Sequence, residues 1–311
     1  MLLYILLLAA KIHGVVNSDQ FAFGLICGCD RSSIYNVSEV KVYAYNYASN
    51  ISEVYTIDDA AAAILNRQDF DPGQCIDIFI SGYTNTIDSE PSQVARCTLS
   101  KITCKNKGTL AILFDHSAYT NQGYIRAIDY AKSIGQAIGR MVLQLLSKVS
   151  IRDINISGHS LGAQIMGYTA ETVKNAGSPF PIIYAMDPAG PCYQECPKEH
   201  VRSGQADTVV SFHCSTREGT ELRISDYNFI SDGGSVQKGC TMSSCSHFKC
   251  APISFQPSIE PDIWKSRLCD GKQCSCETVL AGYRVPPPSS AVPGSYCFSP
   301  SLALVCDVPS Q

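Results

Sequence analysis

A chain of 311 residues with 45% hydrophobic content is long enough to bury a large core, and its length suits one α/β domain or two smaller ones. Its formal net charge of -4, with pI near 5.9 and no run of Lys or Arg, excludes an electrostatic footprint for nucleic acid or for an anionic membrane surface. Cysteine occurs 16 times, an even number that points to disulfides and an exported protein rather than to a reducing cytosol.

The first ten residues, Met1 to Ala10, form an apolar run too short to span a bilayer, and a polar stretch follows that ends at Val16-Asn17-Ser18. The expectation is a secretory signal over 1–18, cleaved before Asp19, with 19–311 as a single catalytic domain and no stable transmembrane anchor. No Lys or Arg precedes the run and Lys11 follows it, so an uncleaved N-terminal helix is the alternative. Asn36-Val37-Ser38 and Asn50-Ile51-Ser52 are glycosylation acceptors in turn-like surroundings, whereas Asn155-Ile156-Ser157 lies in a strand and is expected to stay unmodified.

Val40 to Tyr45 alternates in polarity and predicts a strand, and the alanine-rich stretch from Asp58 to Gln68 predicts a helix. Cys75 to Ile80 is an apolar strand that stops at the small-residue turn Ser81-Gly82-Tyr83. In an open parallel sheet ligands gather at the carboxyl ends of strands, so this turn can present the amide of Tyr83 to a ligand, although an ordinary strand-to-loop turn has the same look. Leu110 to Phe114 is another buried strand. Tyr124 to Leu146 carries Ile125, Ile128, Ile134, Ile138, Met141 and Leu145 at helical spacing, the pattern of a long crossover helix. Alternating strands and helices predict an α/β protein with a mostly parallel central sheet and helices on both faces. The nearest approach to a linker is Val285-Pro286-Pro287-Pro288-Ser289-Ser290.

The organising stretch is Ile154-Asn155-Ile156-Ser157-Gly158-His159-Ser160-Leu161-Gly162-Ala163, which reads as strand, sharp turn, helix. A serine on such a turn needs the smallest neighbours where strand and helix pass, and Gly158 and Gly162 supply them. The hydroxyl of Ser160 then stands clear at the sheet end as a nucleophile, and the amide of Leu161, with that of Tyr83, can receive a developing oxyanion. Downstream, the apolar strand Ile182 to Met186 ends in Asp187-Pro188, a carboxylate placed to orient an imidazole. Three histidines follow: His200, His213 and His247. Spacing hardly separates them, but His213 lies in an apolar run like a core residue, whereas His247, in Cys245-Ser246-His247, is expected in a loop that a disulfide could hold rigid, which suits a general base. A rival use of that segment is zinc held by Cys240, Cys245, His247 and Cys250, at a spacing that matches no common finger. Neither metal nor cofactor is expected.

Three blocks in this order, Gly158-His159-Ser160-Leu161-Gly162-Ala163, Met186-Asp187-Pro188-Ala189-Gly190-Pro191-Cys192 and Cys245-Ser246-His247, resemble the animal lipase family that includes pancreatic lipase and the secreted phospholipases A1. Asp226-Tyr227-Asn228-Phe229, Gly233-Gly234, Gly239-Cys240, Ala281-Gly282-Tyr283 and Gly294-Ser295-Tyr296 extend the resemblance over nearly all of the mature chain, and Cys97 and Cys104 resemble a paired loop. The resemblance implies a disulfide-stabilised α/β-hydrolase fold, ester hydrolysis through an acyl-enzyme, and His247 rather than His213 as the base. Only Thr241-Met242-Ser243-Ser244 separates Cys240 from Cys245, where triacylglycerol lipases of the family carry a long lid, and the loop between His213 and Asp226 is also short. An open cleft leaves room for a polar head group, so the expected substrate is a phospholipid at an aggregate surface, cleaved at its sn-1 ester. Hydrolysis of triacylglycerol or galactolipid is the alternative, as is a non-catalytic lipid-binding or yolk-like protein. The C-terminal domain of the longer lipases is not expected to follow Gly294-Ser295-Tyr296.

Two departures from the family pattern lie near the cleft: Ser81-Gly82 in place of His-Gly, and Asp115-His116-Ser117 in place of Asp-Trp-Ser. Ser81 cannot pack or hydrogen-bond as an imidazole does, which predicts lowered activity. Near Glu199 to Asp207, Gly204 or Gln205 replaces a carboxylate of the calcium site found in some relatives, so calcium is not expected. Nothing in the sequence specifies an oligomer.

Overall fold

The computed structural model describes residues 27–260, 263–269 and 274–300. The segment assigned to a signal, 1–18, lies outside the described residues. In chain order the elements are β1 (Lys41–Asn46), β2 (Ile51–Thr56), α1 (Ala60–Leu65), β3 (Ile76–Ile80), α2 (Glu90–Lys101), the short β4 (Thr103–Cys104) and β5 (Lys107–Gly108), β6 (Leu110–Asp115), α3 (Ser117–Thr120), α4 (Tyr124–Leu145), β7 (Ile154–His159), α5 (Leu161–Asn175), β8 (Ile183–Met186), β9 (Val209–His213), β10 (Tyr227–Ser231), α6 (Ser243–Phe255), β11 (Ser266–Cys269), β12 (Cys274–Val279) and β13 (Gly294–Phe298). Among the described residues, no helix is long and apolar enough to cross a membrane.

Eleven strands form one sheet in the order β12-β11-β13-β10-β9-β8-β7-β3-β6-β1-β2. The central run from β13 to β6 is parallel throughout, and antiparallel pairs close both ends. With helices covering both faces, this is the α/β-hydrolase type of fold. The period of two along each strand divides the core. In β3, Ile76, Ile78 and Ile80 join α1, α4 and α5 on one face, while Phe79 joins α2, α6 and the aromatic group of Phe212, Phe229 and Trp264 on the other. Because both faces are buried, the parallel strands read as continuous apolar runs. Ile125 departs from the expectation for α4: it is 38% exposed and faces the cleft rather than the sheet.

Disulfides pin the loops around this frame. Cys27–Cys192 and Cys29–Cys196 tie the N-terminal segment to the loop after β8, Cys214–Cys250 joins the end of β9 to α6, and Cys240–Cys245 closes the loop before α6. Cys104 pairs with Cys75 and not with Cys97, correcting the loop inferred from resemblance; the antiparallel β4–β5 pair turns Cys104 back towards the start of β3. Cys97 and Cys269 are also disulfide-bonded, and Cys297 is a free thiol. The zinc alternative is overturned, since three of its four ligands are thiols consumed in the Cys240–Cys245 and Cys214–Cys250 bonds.

At the amino end of β3, Asp77 is fully buried, which pushes its carboxyl above the usual range while Arg284 opposes that shift. Tyr283 donates to Asp77 Oδ1 at 2.7 Å and Arg284 to Oδ2 at 3.3 Å, fastening a segment more than 200 residues away to the central sheet. Removing one partner of such a pair strands a buried charge. Arg284→Met is therefore expected to lower the unfolding free energy in urea by about 3 kcal/mol at pH 7, and adding Asp77→Asn to recover more than half of the loss. A loss that the second substitution leaves unchanged would show that the ion pair is not the cause.

Candidate active site

The sheet order sets β8, β7, β3 and β6 side by side and parallel, so four loops leave from neighbouring carboxyl ends. Those loops begin at Asp187, Ser160, Ser81 and His116. Ser160 links β7 to α5 with φ 58° and ψ -125°, a strained conformation for a residue with a side chain. Its amide donates to the Met186 carbonyl at 3.0 Å and its carbonyl accepts from Ala189 at 3.1 Å, so the strain is fixed from the neighbouring strand.

The flanking glycines are close-approach positions. A Cβ on Gly158 would lie 2.3 Å from the Gly162 carbonyl oxygen, and one on Gly162 would lie 2.1 Å from that of Ile80 and 2.3 Å from that of Ser81. Gly82 completes the set, because a Cβ there would stand 2.8 Å from Ser160 Cβ. The Ser160 hydroxyl takes no hydrogen-bond partner among the described residues, His247 included, and opens into the cleft. The amides of Tyr83 and Leu161, at the turn and at the first residue of α5, are likewise without a partner among the described residues.

Asp187 is fully buried with φ 46°. Its Oδ1 accepts the amides of Cys214 at 2.7 Å and Ser215 at 3.2 Å, and its Oδ2 accepts Nδ1–H of His247 at 2.6 Å. Both carboxylate oxygens are thus hydrogen-bonded, three donors in all, which offsets the cost of burying the carboxylate. Gly219 makes room for it, since a Cβ there would lie 2.6 Å from Asp187 Oδ1. His247 sits in the second turn of α6 rather than in the loop expected from sequence. With Nδ1 given to Asp187, its Nε2 is left for the cleft, which it lines together with Ser160.

Neither other histidine is free for this use. His213 has its ring nitrogens occupied by Asn228 at 3.1 Å, Arg223 at 2.9 Å and the Thr220 carbonyl at 3.3 Å. His200 donates from Nδ1 to the Val201 carbonyl and is buried. Sequence reasoning missed His159, whose Nε2–H donates to the His247 carbonyl at 2.9 Å with the two rings 4.6 Å apart, so the residue before Ser160 holds the backbone of the helix that carries His247.

The cleft has a volume of about 540 Å³ and a lining that is largely apolar, with Tyr83, Tyr124, Ile125, Pro191 and Phe248 around Ser160 and His247. Tyr83 and Tyr124 meet edge to face at 5.1 Å. Arg217 and Glu218 stand at its rim. Glu218 accepts from Ser215 at 2.9 Å and from Ser243, joining the loop after β9 to the start of α6.

A family model described as Lipase matches residues 30–250. Phospholipase A1 of Vespa velutina is 29% identical over 200 residues, covering 59% of this chain and 64% of that protein, so the match spans just under two thirds of the relative. Phospholipase A1 of Vespa crabro is 28% identical over 234 residues, covering 68% of this chain and 75% of that protein. Among solved structures, the thermophilic esterase Est2 of Thermogutta terrifontis is similar at a TM-score of 0.33 and 16% identity, covering 58% of this chain and 69% of that one.

Four histidines around this frame are held neutral by burial: His159 is pushed down to about 3 with the nearby His247 adding to the shift, His200 to about 4, and His116 and His213 are also lowered. Their unfolded counterparts take up a proton near pH 6.5, so their contribution to stability is complete above that pH and falls as the solution is acidified. Unfolding is expected to take up about two protons at pH 6.5, rising to between about three and four at pH 5, read from the pH dependence of urea unfolding free energies. A flat profile over that window would show that these rings are charged in the folded state.

Proposed function

The chain belongs to the lipase family, and we propose that it hydrolyses a fatty-acyl ester of a glycerolipid, with the sn-1 ester of a phospholipid as substrate. The observation that carries the reading is the buried 2.6 Å contact between His247 Nδ1 and Asp187 Oδ2, beside a serine held at φ 58° on the same cleft.

In this reading the Ser160 oxygen attacks the ester carbonyl carbon while its proton passes to His247 Nε2. Asp187 holds the ring in the tautomer with Nδ1–H and stabilises the imidazolium that forms. The tetrahedral oxygen collects its negative charge between the amides of Leu161 and Tyr83, each such donor being worth ~10²–10³ in rate. Collapse expels the alcohol, which takes the proton from Nε2, and water then repeats the sequence on the acyl-enzyme. Short loops on both sides of the cleft support a substrate with a bulky polar end, as do relatives named phospholipase A1. The disulfides support export, because such bonds persist in oxidising compartments.

Ser160→Ala is expected to abolish fatty-acid release from phosphatidylcholine vesicles, a loss on the order of 10⁴-fold or more, and to end covalent labelling by a fluorophosphonate. Asp187→Asn, which leaves the ring free to take the wrong tautomer, is expected to cost about 10⁴ in kcat. Hydrolysis that survives Ser160→Ala would overturn the assignment. Faster turnover of triolein than of phosphatidylcholine by the unmodified protein would overturn the phospholipid reading alone.

A further inference from the structure

The turn that carries the Tyr83 amide has no side chain of its own to hold it. Ser81 is buried, yet its hydroxyl has no hydrogen-bond partner. What is held is its carbonyl. On one side that oxygen is in close approach to Gly162, where a Cβ would lie 2.3 Å away. On the other side it accepts from Nε2 of His116 at 3.0 Å. A carbonyl can only accept, so Nε2 carries the ring proton and Nδ1 is left as an acceptor for the Thr120 hydroxyl at 2.9 Å. The ring is fully buried between these partners, at the carboxyl end of β6 next to β3.

We propose that His116 is a positioning residue for the ester-hydrolysing site, clamping the Ser81 carbonyl against α5 so that the following peptide presents the Tyr83 amide beside Ser160. The inference rests on the reading that Ser160 is the nucleophile and Tyr83 an oxyanion donor. The geometry leaves little slack: the next residue, Gly82, already touches Ser160, with a hypothetical Cβ only 2.8 Å from Ser160 Cβ and 3.3 Å from its Oγ. Rotation of the 81–82 peptide would swing the Tyr83 amide away from the point where the oxyanion forms, and small misplacements of a preorganised donor are costly. The Ser81 carbonyl fixes the tautomer, since the alternative proton position would set two lone pairs against each other there, and Thr120 steadies the far side of the ring, its hydroxyl within reach of Nδ1 at 2.9 Å and of the His116 carbonyl at 3.2 Å. The departure at His116 thus compensates for the one at Ser81, with an imidazole supplied from β6 rather than from β3.

The test compares His116→Phe, which keeps a ring without a donor, with His116→Gln, whose amide can still donate to Ser81. On phosphatidylcholine vesicles His116→Phe is expected to lower kcat by about 10- to 100-fold with KM within about twofold, and to slow fluorophosphonate labelling of Ser160 in parallel. His116→Gln is expected to recover most of that loss at a similar melting temperature. Should His116→Phe fail to fold, Thr120→Val carries the test, with a several-fold fall in kcat expected. Unchanged kcat in the variant that folds, or equal losses in Phe and Gln, would overturn the inference. Ser160→Ala assayed alongside separates the two readings: if it retains activity, the catalytic assignment fails, and if it is inactive while His116→Phe is not, only the positioning role fails.

Discussion

The structure depends on one close approach, that of the backbones of β3, β7 and α5 around Ser160. Three residues without side chains, Gly82, Gly158 and Gly162, let them meet at distances that a single methyl group would prevent. The serine between them has no freedom to relax, because its amide and carbonyl are both bonded to the segment from Met186 to Ala189. Strain of this kind persists only where the surroundings over-determine it. The surroundings here are the parallel sheet itself, so the position of one hydroxyl is set by the packing of the whole core.

Burial of polar groups around that point follows a consistent logic. Asp187 is buried as an acceptor with two backbone amides and one ring N–H aimed at it, while the neighbouring imidazoles of His116 and His159 are desolvated and neutral. A charged His159 beside His247 would oppose the imidazolium that the proposed mechanism requires, and burial removes that competition. His159 instead donates one hydrogen bond to the His247 carbonyl, so the serine turn and the histidine helix are joined through the backbone. Geometry and electrostatics at the site are therefore set by the same contacts.

Much of this was legible in the sequence because it rests on local pattern. The apolar runs of β3, β6, β7 and β8 and the glycines about Ser160 specify a parallel sheet and a sharp turn without reference to distant residues. What was not legible depends on pairs far apart in the chain. Cys104 joins Cys75 because the β4–β5 reversal brings it to the start of β3, and cysteine spacing alone does not encode that. His247 lies on a helix because α6 begins within the disulfide loop itself, at Ser243, where a run of Ser and Cys reads as a loop. The contact between His116 and Ser81 was hidden for the same reason, although a polar residue at the carboxyl end of a parallel strand was a usable signal. Ser81 and His116 looked like two separate losses until the sheet order placed them in contact.

The rim of the cleft bears on how a lipid could enter. In a site roofed by a long mobile segment, access depends on moving that segment at a surface. Here the segment between Cys240 and Cys245 is closed by its own disulfide and continues directly into α6, and Glu218 bonds the facing loop to Ser243 across the rim. Both walls are thus fixed to the elements that carry Asp187 and His247. In the proposed reading, this open and largely apolar cleft takes an acyl chain and leaves a polar head group in water. The contacts that leave the cleft open also tie α6 to the loop after β9, and His159 ties α6 to the serine turn, so access to Ser160 and the placement of His247 depend on one set of contacts.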